Sequence, residues 1–489
     1  MENNCLENKQ ITLEDLLTDK SKLVHFIGLG GIGMSGLAKF LIGLGYNVSG
    51  SDVKDSAALE QISGMGGIVF VGHSSENIKN VSCIVASSAI KDDNPEIVEA
   101  MRNNIPIFHR SHILNALMQG LGLENKQISI GVAGTHGKTT TSGMLSLVFE
   151  YSGFDPSFVV GGKMPHLKTN SKMGKGNFFI AELDESDGTV GVYTPDVTVI
   201  TNLEYDHPDH YVNGFEQILE TFEKYINNLA PTGKIVINID SAGNRQLISR
   251  ISHPGLILYS TDENNLDADY LVKDEAMIGL NSMAGIYRKN EYIGDINLPI
   301  PGTHNISNAL AAVAVGIESG LEFSKIADAL SKFTGMGRRF QIAGEVNGAK
   351  IVDDYAHHPT EVKTTLDAAK KFVESSNKGR VVAIFQPHRY SRLSNLWDDF
   401  LESFNSADVV YLCDVYSAGE SCLPGINSEK LSKEVNHKNV NYLSGNMEQI
   451  AKNFSQYIQP DDIILTMGAG DITKLGSLLV EQSGKQAGK

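Results

Sequence analysis

The chain has 489 residues, which is too long for one ordinary hydrophobic core, and the usual domain size of about 100–200 residues predicts three domains. Hydrophobic residues make up 41% and charged residues 20%, a composition that excludes disordered and fibrous chains. The formal net charge of −17 argues against a general nucleic-acid or membrane-surface binder, because both need a broad positive face.

Targeting and redox features point to the cytoplasm. Segment 1–4 is polar and lacks the basic flank and apolar run of a signal peptide. The longest apolar stretch, 309–317, is far shorter than the roughly 20 residues that span a bilayer. The four cysteines show no paired metal-ligand spacing and are expected to be reduced thiols. We therefore expect a cytoplasmic protein without a membrane partner; the sequence does not distinguish a monomer from a homodimer.

The first predicted domain, residues 1–124, begins with the opening unit of a doubly wound, Rossmann-like sheet. A buried strand at Leu23–Ile27 precedes a glycine-rich turn, a helical pattern and a second strand that ends at Asp52. A strand at Cys83–Ala86 and a helix at Pro95–Arg102 continue the alternation. The polar stretch 122–127 is predicted to link this domain to the next.

The central domain, 125–336, is predicted to be an α/β domain of the P-loop ATPase type. Its first strand is expected at 128–133 with a helix from Thr139, and further strands at 178–181, 197–200 and 234–237. The helical period of apolar residues weakens between 256 and 301, which predicts a small antiparallel insertion. An alanine-rich helix is expected over 305–318.

The third domain, 337–489, is predicted to be a second Rossmann-like α/β unit. Strands at 350–352, 380–385, 409–412 and 462–465 alternate with helical patterns. The chain is therefore predicted to form three α/β domains in series.

The first domain carries a G-x-G-x-x-G fingerprint between strand and helix. Its glycines allow backbone N–H groups and the helix N-terminus to approach a diphosphate. Asp52, about 20 residues farther on, is placed to accept a ribose hydroxyl. This pattern suits NAD as well as other nucleotides. The predicted binding residues are Gly28, Gly30, Gly31, Ile32, Gly33 and Asp52.

The central domain carries a phosphate-loop motif that also follows a strand and opens a helix. Lys138 can neutralise phosphate charge, and the Thr139 hydroxyl can ligate Mg²⁺. Val132 stands where the longer P-loop pattern has glycine, so the motif is a shorter variant. A dehydrogenase would need only the first loop, and a simple ATPase only the second. The motif comprises Gly134, Thr135, His136, Gly137, Lys138, Thr139 and Thr140.

Acidic and histidine side chains follow the next strands of the central domain. Carboxylates at the carboxyl end of a strand beside a phosphate loop are placed to hold Mg²⁺, and His207 is a possible second ligand. The acidic positions are Glu182, Asp184, Glu185 and Asp187. Asn305 could either cap its helix or contact adenine.

Basic and histidine-rich motifs lie at the second domain junction and in the third domain. Arg338 and Arg339 suit clamping of an anionic ligand on domain closure. Segments 353–359 and 386–392 each follow a strand and are rich in side chains that bind carboxylates and phosphates.

Taken together and in this order, the motifs resemble the Mur ligases, the ATP-dependent amide-forming enzymes of peptidoglycan precursor assembly. The resemblance runs from Val24 to about Asp471 and is carried by segments 134–140, 181–187, 201–207, 304–308, 337–340 and 353–360. Segments 28–33, 87–90 and 385–390 resemble the branch that joins L-alanine to UDP-N-acetylmuramic acid. Small residues of the acidic loop vary, but all four acidic positions are kept.

The resemblance implies ATP and Mg²⁺ as cofactors, and UDP-N-acetylmuramic acid and L-alanine as substrates joined through an acyl phosphate. It implies that Thr139, Glu182 and His207 hold metal, and that the phosphate loop, Asn305, Arg339 and Asp354 bind ATP. The 28–33 loop, Asp52, Ser87, His358, Arg389 and Arg392 would bind the other substrates. The residues that it implies for catalysis are Lys138, His207, Arg339, His357 and His388.

Other functions stay open at this stage. The ligase branch that recycles a murein tripeptide shares the 353–359 element but lacks the Gln-Pro-His-Arg-Tyr motif. A nicotinamide-dependent dehydrogenase would explain only the first loop and Asp52. A non-catalytic nucleotide-binding regulator would not need the combination of Lys138, Glu182 and His207.

Overall fold

The computed structural model describes residues 12–208 and 210–486, with side chains described as far as residue 482. Segment 1–4, on which the expectation about a signal peptide rests, lies outside the described residues. The described chain forms three α/β domains, each built around its own sheet. No helix within the described ranges is long and apolar enough to cross a membrane.

The first domain is a fully parallel sheet in the order β3-β2-β1-β4-β5, as predicted for a doubly wound fold. The strand order reverses between β1 and β4, and ligands bind in the crevice at such a point. The strands are β1 (Leu23–Ile27), β2 (Asn47–Asp52), β3 (Ile68–Val71), β4 (Cys83–Ala86) and β5 (Ile107–His109). The helices are α1 (Leu13–Thr18), α2 (Ile32–Gly43), α3 (Ala57–Gly64), α4 (Pro95–Arg102) and α5 (Arg110–Met118).

The central domain has a sheet whose inner strands are parallel and whose ends carry antiparallel strands. The strands are β6 (Ile128–Ala133), β7 (Ser157–Met164), β8 (Thr169–Lys172), β9 (Phe178–Glu182), β10 (Val197–Ile200), β11 (Lys234–Asn238), β12 (Leu256–Ser260), β13 (Tyr270–Ile278), β14 (Asn281–Arg288) and β15 (Glu291–Leu298). Their order is β15-β14-β13-β12-β11-β10-β6-β9-β7-β8. The helices are α6 (Lys138–Tyr151), α7 (Phe215–Asn227), α8 (Ala242–Ile248), α9 (Thr303–Glu318) and α10 (Phe323–Leu330).

Two expected boundaries in this domain were wrong. The antiparallel insertion does not begin at 256, because β12 pairs in parallel with β11; the antiparallel strands are β13, β14 and β15. The alanine-rich helix begins at Thr303 rather than Asn305, because Gly302 serves as its N-cap with a φ of 107°. Glycine adopts this backbone conformation without a steric penalty.

The third domain is a mixed sheet with one antiparallel edge strand. Its order is β16-β17-β21-β18-β19-β20, and β16 runs antiparallel to β17. The strands are β16 (Gln341–Val346), β17 (Ala349–Asp354), β18 (Val381–Phe385), β19 (Val409–Cys413), β20 (Val440–Leu443) and β21 (Ile463–Met467). The helices are α11 (Pro359–Ser376), α12 (Tyr390–Asn395), α13 (Trp397–Leu401), α14 (Ser428–Glu434), α15 (Met447–Phe454) and α16 (Thr473–Gln486).

The first and central domains share one hydrophobic core, whereas the third domain keeps cores of its own. The ring of Phe40 on α2 stacks on Phe179 of β9 with centroids 5.0 Å apart. Both belong to a single buried cluster that runs through the two domains. The buried clusters on the two faces of the third sheet are built from third-domain side chains, and Leu280 is a central-domain side chain that packs against one of them. The third domain therefore meets the rest of the chain mainly through polar contacts.

We predict that Gly36→Val destabilises the protein by about 1–3 kcal/mol, because added side-chain atoms overpack the contact between α2 and the central sheet. A Cβ at position 36 would lie 2.9 Å from Asn170 Nδ2 and 3.5 Å from a Val159 methyl. The measurement is urea denaturation. Gly64→Ala is the control, because a Cβ at position 64 meets no atom within 4 Å; equal stability of the Gly36→Val variant and this control would contradict the prediction.

Candidate active site

Two adjoining cavities lie where the three domains meet. The larger is a cleft of about 710 Å³ lined by side chains of all three domains. The smaller, about 300 Å³, lies between the start of α9, the end of β11 and the junction of the central and third domains. His136, Gly137, Arg339 and Glu361 line both cavities, so the phosphate loop forms part of the wall that they share.

The phosphate loop is shaped by the segment that follows β10. The His136 N–H donates to Asn202 Oδ1 (2.9 Å), and Thr201 Oγ1 donates to the His136 carbonyl (2.6 Å). Gly137 has a φ of 83°, and a Cβ there would lie 2.6 Å from Asn308 Oδ1. Helix α6 begins at the next residue, so its free N–H groups and its dipole point at the loop, as in other phosphate sites.

Two carboxylates hold the reactive side chains of this loop. Lys138 Nζ lies 2.8 Å from Glu185 Oε1, and Thr139 Oγ1 donates to Glu182 Oε1 (3.0 Å). Burial raises the pKa of Glu185 to about 7, although the neighbouring Lys138 opposes the shift. Glu182 is oriented from behind by the Gly161 N–H, 2.7 Å from Oε2. The Thr139 and Glu182 oxygens therefore stand side by side, as a hard divalent cation requires.

His207 lies in the large cleft beside a buried ion pair between the central and third domains. Its φ is 55°, and its N–H donates to Asp206 Oδ1 (2.7 Å). Asp206 also faces Arg392, whose Nη2 lies 3.3 Å from Asp206 Oδ1. Burial opposes ionisation of Asp206, but Arg392 outweighs it and keeps the pKa of this carboxyl well below its usual range.

Glu361, in the first turn of α11, connects the phosphate loop to the domain junction. Glu361 Oε1 lies 3.3 Å from His136 Nδ1 and 3.4 Å from Arg339 Nη1. Glu361 Oε2 accepts the backbone N–H groups of His357 (3.0 Å) and His358 (3.3 Å). The pKa of Glu361 lies well below its usual value, because these positive neighbours outweigh the effect of burial.

The two third-domain histidines of the large cleft are uncharged at neutral pH. Burial lowers the pKa of His357 to about 3 and that of His388 to about 4. His357 Nδ1 lies 2.9 Å from the Tyr355 carbonyl, so Nδ1 carries the proton and Nε2 can accept one. Arg392 Nη1 lies 3.3 Å from His388 Nδ1, which makes Nδ1 the acceptor and leaves an N–H on Nε2.

The glycine loop of the first domain closes the opposite side of the large cleft. Ile32 and Gly33 line it. Asp52, expected to bind a ribose, accepts the Gly30 N–H at 2.8 Å and so supports the loop itself. Arg110 of α5 also lines the cleft and forms an ion pair with Asp184 of the central domain.

Most of the sequence-predicted site residues converge on these cavities. Those in the large cleft are Ile32, Gly33, Thr135, His136, Gly137, Lys138, Thr139, Glu182, His207, Arg339, His357, His388, Arg389 and Arg392. Those in the smaller cavity are His136, Gly137, Thr140, Asn305, Arg339 and Asp354. The residues that line neither cavity are Gly28, Gly30, Gly31, Asp52, Ser87, Gly134, Asp187 and His358.

Several of these side chains have structural partners of their own. Asn305 Nδ2 donates to the Pro301 carbonyl (2.7 Å) at the wall of the smaller cavity. Asp354 accepts the N–H groups of Phe340 and Ala356, both at 2.7 Å, and fastens the chain where the third domain begins. Burial raises the pKa of Asp354 to about 6. His358 is the N-cap of α11 and packs on His136, not on the large cleft.

Sequence reasoning assigned no role to Arg110, Glu204 or Glu361. Arg110 is the first residue of α5 and has no motif around it. Glu361 stands three residues after His358 just before a helical run, the spacing of a capping box, which is a signal of a helix start rather than of a site. That Glu361 reaches His136 depends on how two domains dock, and no local pattern encodes this.

Comparison with known proteins gives matches along nearly the whole chain. Three family models match in series: "Mur ligase family, catalytic domain" over residues 23–121, "Mur ligase middle domain" over 132–316 and "Mur ligase, glutamate ligase domain" over 338–470. A UDP-N-acetylmuramate–L-alanine ligase of Pelotomaculum thermopropionicum is 43% identical over 95% of this chain and 98% of its own length. One from a Geobacter species is 39% identical, covering 94% and 97%.

Solved structures agree with the matched families. The UDP-N-acetylmuramate-alanine ligase of Thermotoga maritima superposes with a TM-score of 0.80 at 28% identity, covering 95% of this chain and 99% of that one. A murein peptide ligase from Psychrobacter arcticus has a TM-score of 0.68 at 23% identity, covering 95% and 99%, and shows the shared fold. Three consecutive family models and relatives of this coverage establish that the chain belongs to the Mur ligase family.

Proposed function

We propose that this chain uses ATP to join L-alanine to UDP-N-acetylmuramic acid in peptidoglycan precursor synthesis, at the cleft between its three domains. The observation that carries the proposal is that the phosphate loop forms part of the wall between the two cavities. The phosphate loop separates a small cavity, suited to a nucleoside, from a large cleft that the glycine loop of the first domain also lines. The relatives named above as UDP-N-acetylmuramate–L-alanine ligases support this choice of substrates.

The site suits two successive displacements. A carboxylate oxygen of the sugar's lactyl group attacks the γ-phosphorus of ATP, and the bond to the bridging oxygen of ADP breaks. The ammonium group of alanine loses a proton, its nitrogen attacks the acyl carbon, and phosphate leaves as the nitrogen loses a second proton to form the amide. A free carboxylate is a poor acyl donor, so phosphorylation supplies the leaving group. The protein acts by positioning and by neutralising charge, as in other phosphoryl transfers.

The phosphate loop and its carboxylates would hold the triphosphate and its metal. Lys138, whose burial is offset by Glu185 and Glu182 so that its pKa is raised, remains charged and would neutralise phosphate charge at the loop. Thr139 and Glu182 fit Mg²⁺, because two hard oxygens lie 3.0 Å apart beside the loop. His207 would hold a second ion. Bound Mg²⁺ supplies neutralisation of phosphate charge. Arg339 reaches the same wall from the domain junction.

The uncharged third-domain histidines suit the second displacement. His357 presents a free Nε2 lone pair, which can accept a hydrogen bond from the alanine amine and orient it. His388 presents Nε2–H and, with Arg389, can hold a carboxylate. On this proposal the chain divides at 124/125 into a sugar-nucleotide domain and at 336/337 into the ATP-binding and third domains.

The defining assay is phosphate release from ATP in the presence of Mg²⁺ and UDP-N-acetylmuramic acid. We expect release that depends on both the sugar nucleotide and L-alanine, with a product heavier by one alanine residue in mass spectrometry. Parallel reactions omit the amino acid or supply the murein tripeptide. Release with the tripeptide but not with L-alanine would assign the recycling activity to the chain instead. No release in any reaction would refute the proposal.

Lys138→Ala should lower kcat by about 10²-fold or more, because it removes the charge that stabilises the transferring phosphoryl group. Steady-state phosphate release is the measurement, with circular dichroism to verify folding. Lys126→Ala is the matched control, because the Lys126 side chain is 57% exposed and pairs only loosely with Asp196 at 3.6 Å. Near-normal turnover of a folded Lys138→Ala variant would overturn the role given to the phosphate loop.

Glu361→Gln should lower kcat by about 10–100-fold, because a neutral amide no longer holds His136 and Arg339 in place for the closed cleft. Small-angle scattering should show less compaction with ATP and the sugar nucleotide than in the unmodified protein. Glu374→Gln, an exposed position on the same helix, is the control. Unchanged kcat and unchanged compaction in Glu361→Gln would show that this carboxylate does not couple the domains.

A further inference from the structure

A cluster of His136, Glu204 and His358 lies at the contact between the central and third domains, and its first two members also line the smaller cavity. One ligand atom from each of the three residues can be chosen so that all three atoms lie within 4.8 Å of one another. His136 and Glu204 belong to the central domain, and His358 is the N-cap of α11 in the third. The imidazole rings of His136 and His358 are 4.7 Å apart.

Two buried nitrogens of this cluster lack hydrogen bonds. Among residues 12–208 and 210–482, the Nε2 atoms of His136 and His358 are buried without a hydrogen-bond partner. His358 is 5% exposed. The nearest acid to His136 Nε2 is Glu204 Oε2, at the ion-pair distance of 3.5 Å. Buried polar groups are normally satisfied, so the unpartnered Nε2 of His358 beside His136 and Glu204 indicates a missing ligand.

We propose that His136, Glu204 and His358 bind a divalent transition-metal ion such as Zn²⁺, which bridges the central and third domains. Two histidines and one glutamate are a donor set found at zinc sites, with a fourth position left for water. Nitrogen donors also separate this site from the oxygen pair of Thr139 and Glu182, which suits Mg²⁺.

The surroundings of His136 are those of a metal-binding histidine. Its Nδ1 lies 3.3 Å from Glu361 Oε1, so Nδ1–H can donate to a carboxylate while Nε2 faces the metal. This is the arrangement that orients histidine ligands in many metal sites. Thr360 Oγ1 donates to Glu204 Oε2 (2.6 Å) and orients the third ligand in the same way.

Protons compete with the metal at both histidines. Burial would lower the pKa of His136, but Glu204 and Glu361 outweigh it and raise the pKa to about 9. His358 Nδ1 accepts the Thr360 N–H at 3.3 Å. If Nε2 binds a metal, Nδ1 must carry the proton, and this hydrogen bond at the start of α11 is lost. Because both histidines bind a metal only as neutral imidazoles, metal affinity should rise with pH.

Because the ligands come from two domains, the ion can be held by all three only when the third domain is docked. A ligand that binds one arrangement of the protein in preference to another stabilises that arrangement. An occupied site would thus favour the closed cleft.

The test uses Co²⁺ as a spectroscopic substitute for Zn²⁺, titrated into the full chain with excess Mg²⁺ to occupy oxygen sites. We expect the visible absorption bands of four-coordinate Co²⁺, saturating near one equivalent and abolished by competing Zn²⁺. Glu204→Gln and His358→Ala, one ligand from each domain, should each weaken binding by about tenfold or more. His357→Ala is the matched control, because its side chain turns to the Tyr355 carbonyl; it should bind Co²⁺ normally.

Two results would overturn the proposal. One is the absence of these bands in the unmodified protein at both pH 7 and pH 8.5. The other is equal Co²⁺ affinity in Glu204→Gln, His358→Ala and the unmodified protein. Glu204→Gln preserves side-chain shape, so it provides a folded variant if His358→Ala weakens the cap of α11. Thermal unfolding of each variant verifies its folding.

Discussion

The buried carboxylate of Glu361 is the interaction on which the arrangement of the cleft depends. It faces His136 of the phosphate loop and Arg339 of the domain junction, and it accepts backbone N–H groups at the start of α11. A buried carboxylate is stable only with such partners, because an unpaired charge away from water is costly. The requirement to satisfy this one charge therefore fixes the third domain against the phosphate loop.

The two domain interfaces differ in chemistry, and this difference decides which of them can open. The first and central domains share apolar side chains, including the Phe40 and Phe179 stack. The central and third domains meet through polar pairs such as Asp206 with Arg392 and Glu204 with Thr360. Polar pairs can be replaced by water when an interface opens, whereas exposing an apolar core costs free energy in proportion to its area. The cleft should therefore open and close by movement of the third domain relative to the other two.

The carboxyl ends of parallel strands explain why motifs far apart in the chain share one site. The glycine loop follows β1, the phosphate loop follows β6, and the two histidine motifs follow β17 and β18. Loops at this end of a parallel sheet are free to carry function, while the strands hold them in place. Three such sheets facing one another make a cleft whose walls differ in chemistry.

Much of this architecture is readable from the sequence. Short continuous apolar runs predict most inner strands to within a residue or two, because these strands are buried on both faces. The glycine fingerprint and the phosphate loop have local physical causes, a tight turn and a helix N-terminus. The antiparallel strands β13, β14 and β15 are harder, since half-exposed strands carry a weaker pattern, and the start of their insertion at 256 was wrong.

By itself, then, the sequence determined the three α/β domains, the two nucleotide-type loops and most of the side chains that line the cleft, because each depends on a local pattern. Only the tertiary structure decided that Asp52 supports the glycine loop, that His358 lies against His136, and that Glu361, Glu204 and Arg110 belong to the site. Those facts arise from contacts between groups far apart in the chain, and such contacts exist only once separate domains are docked.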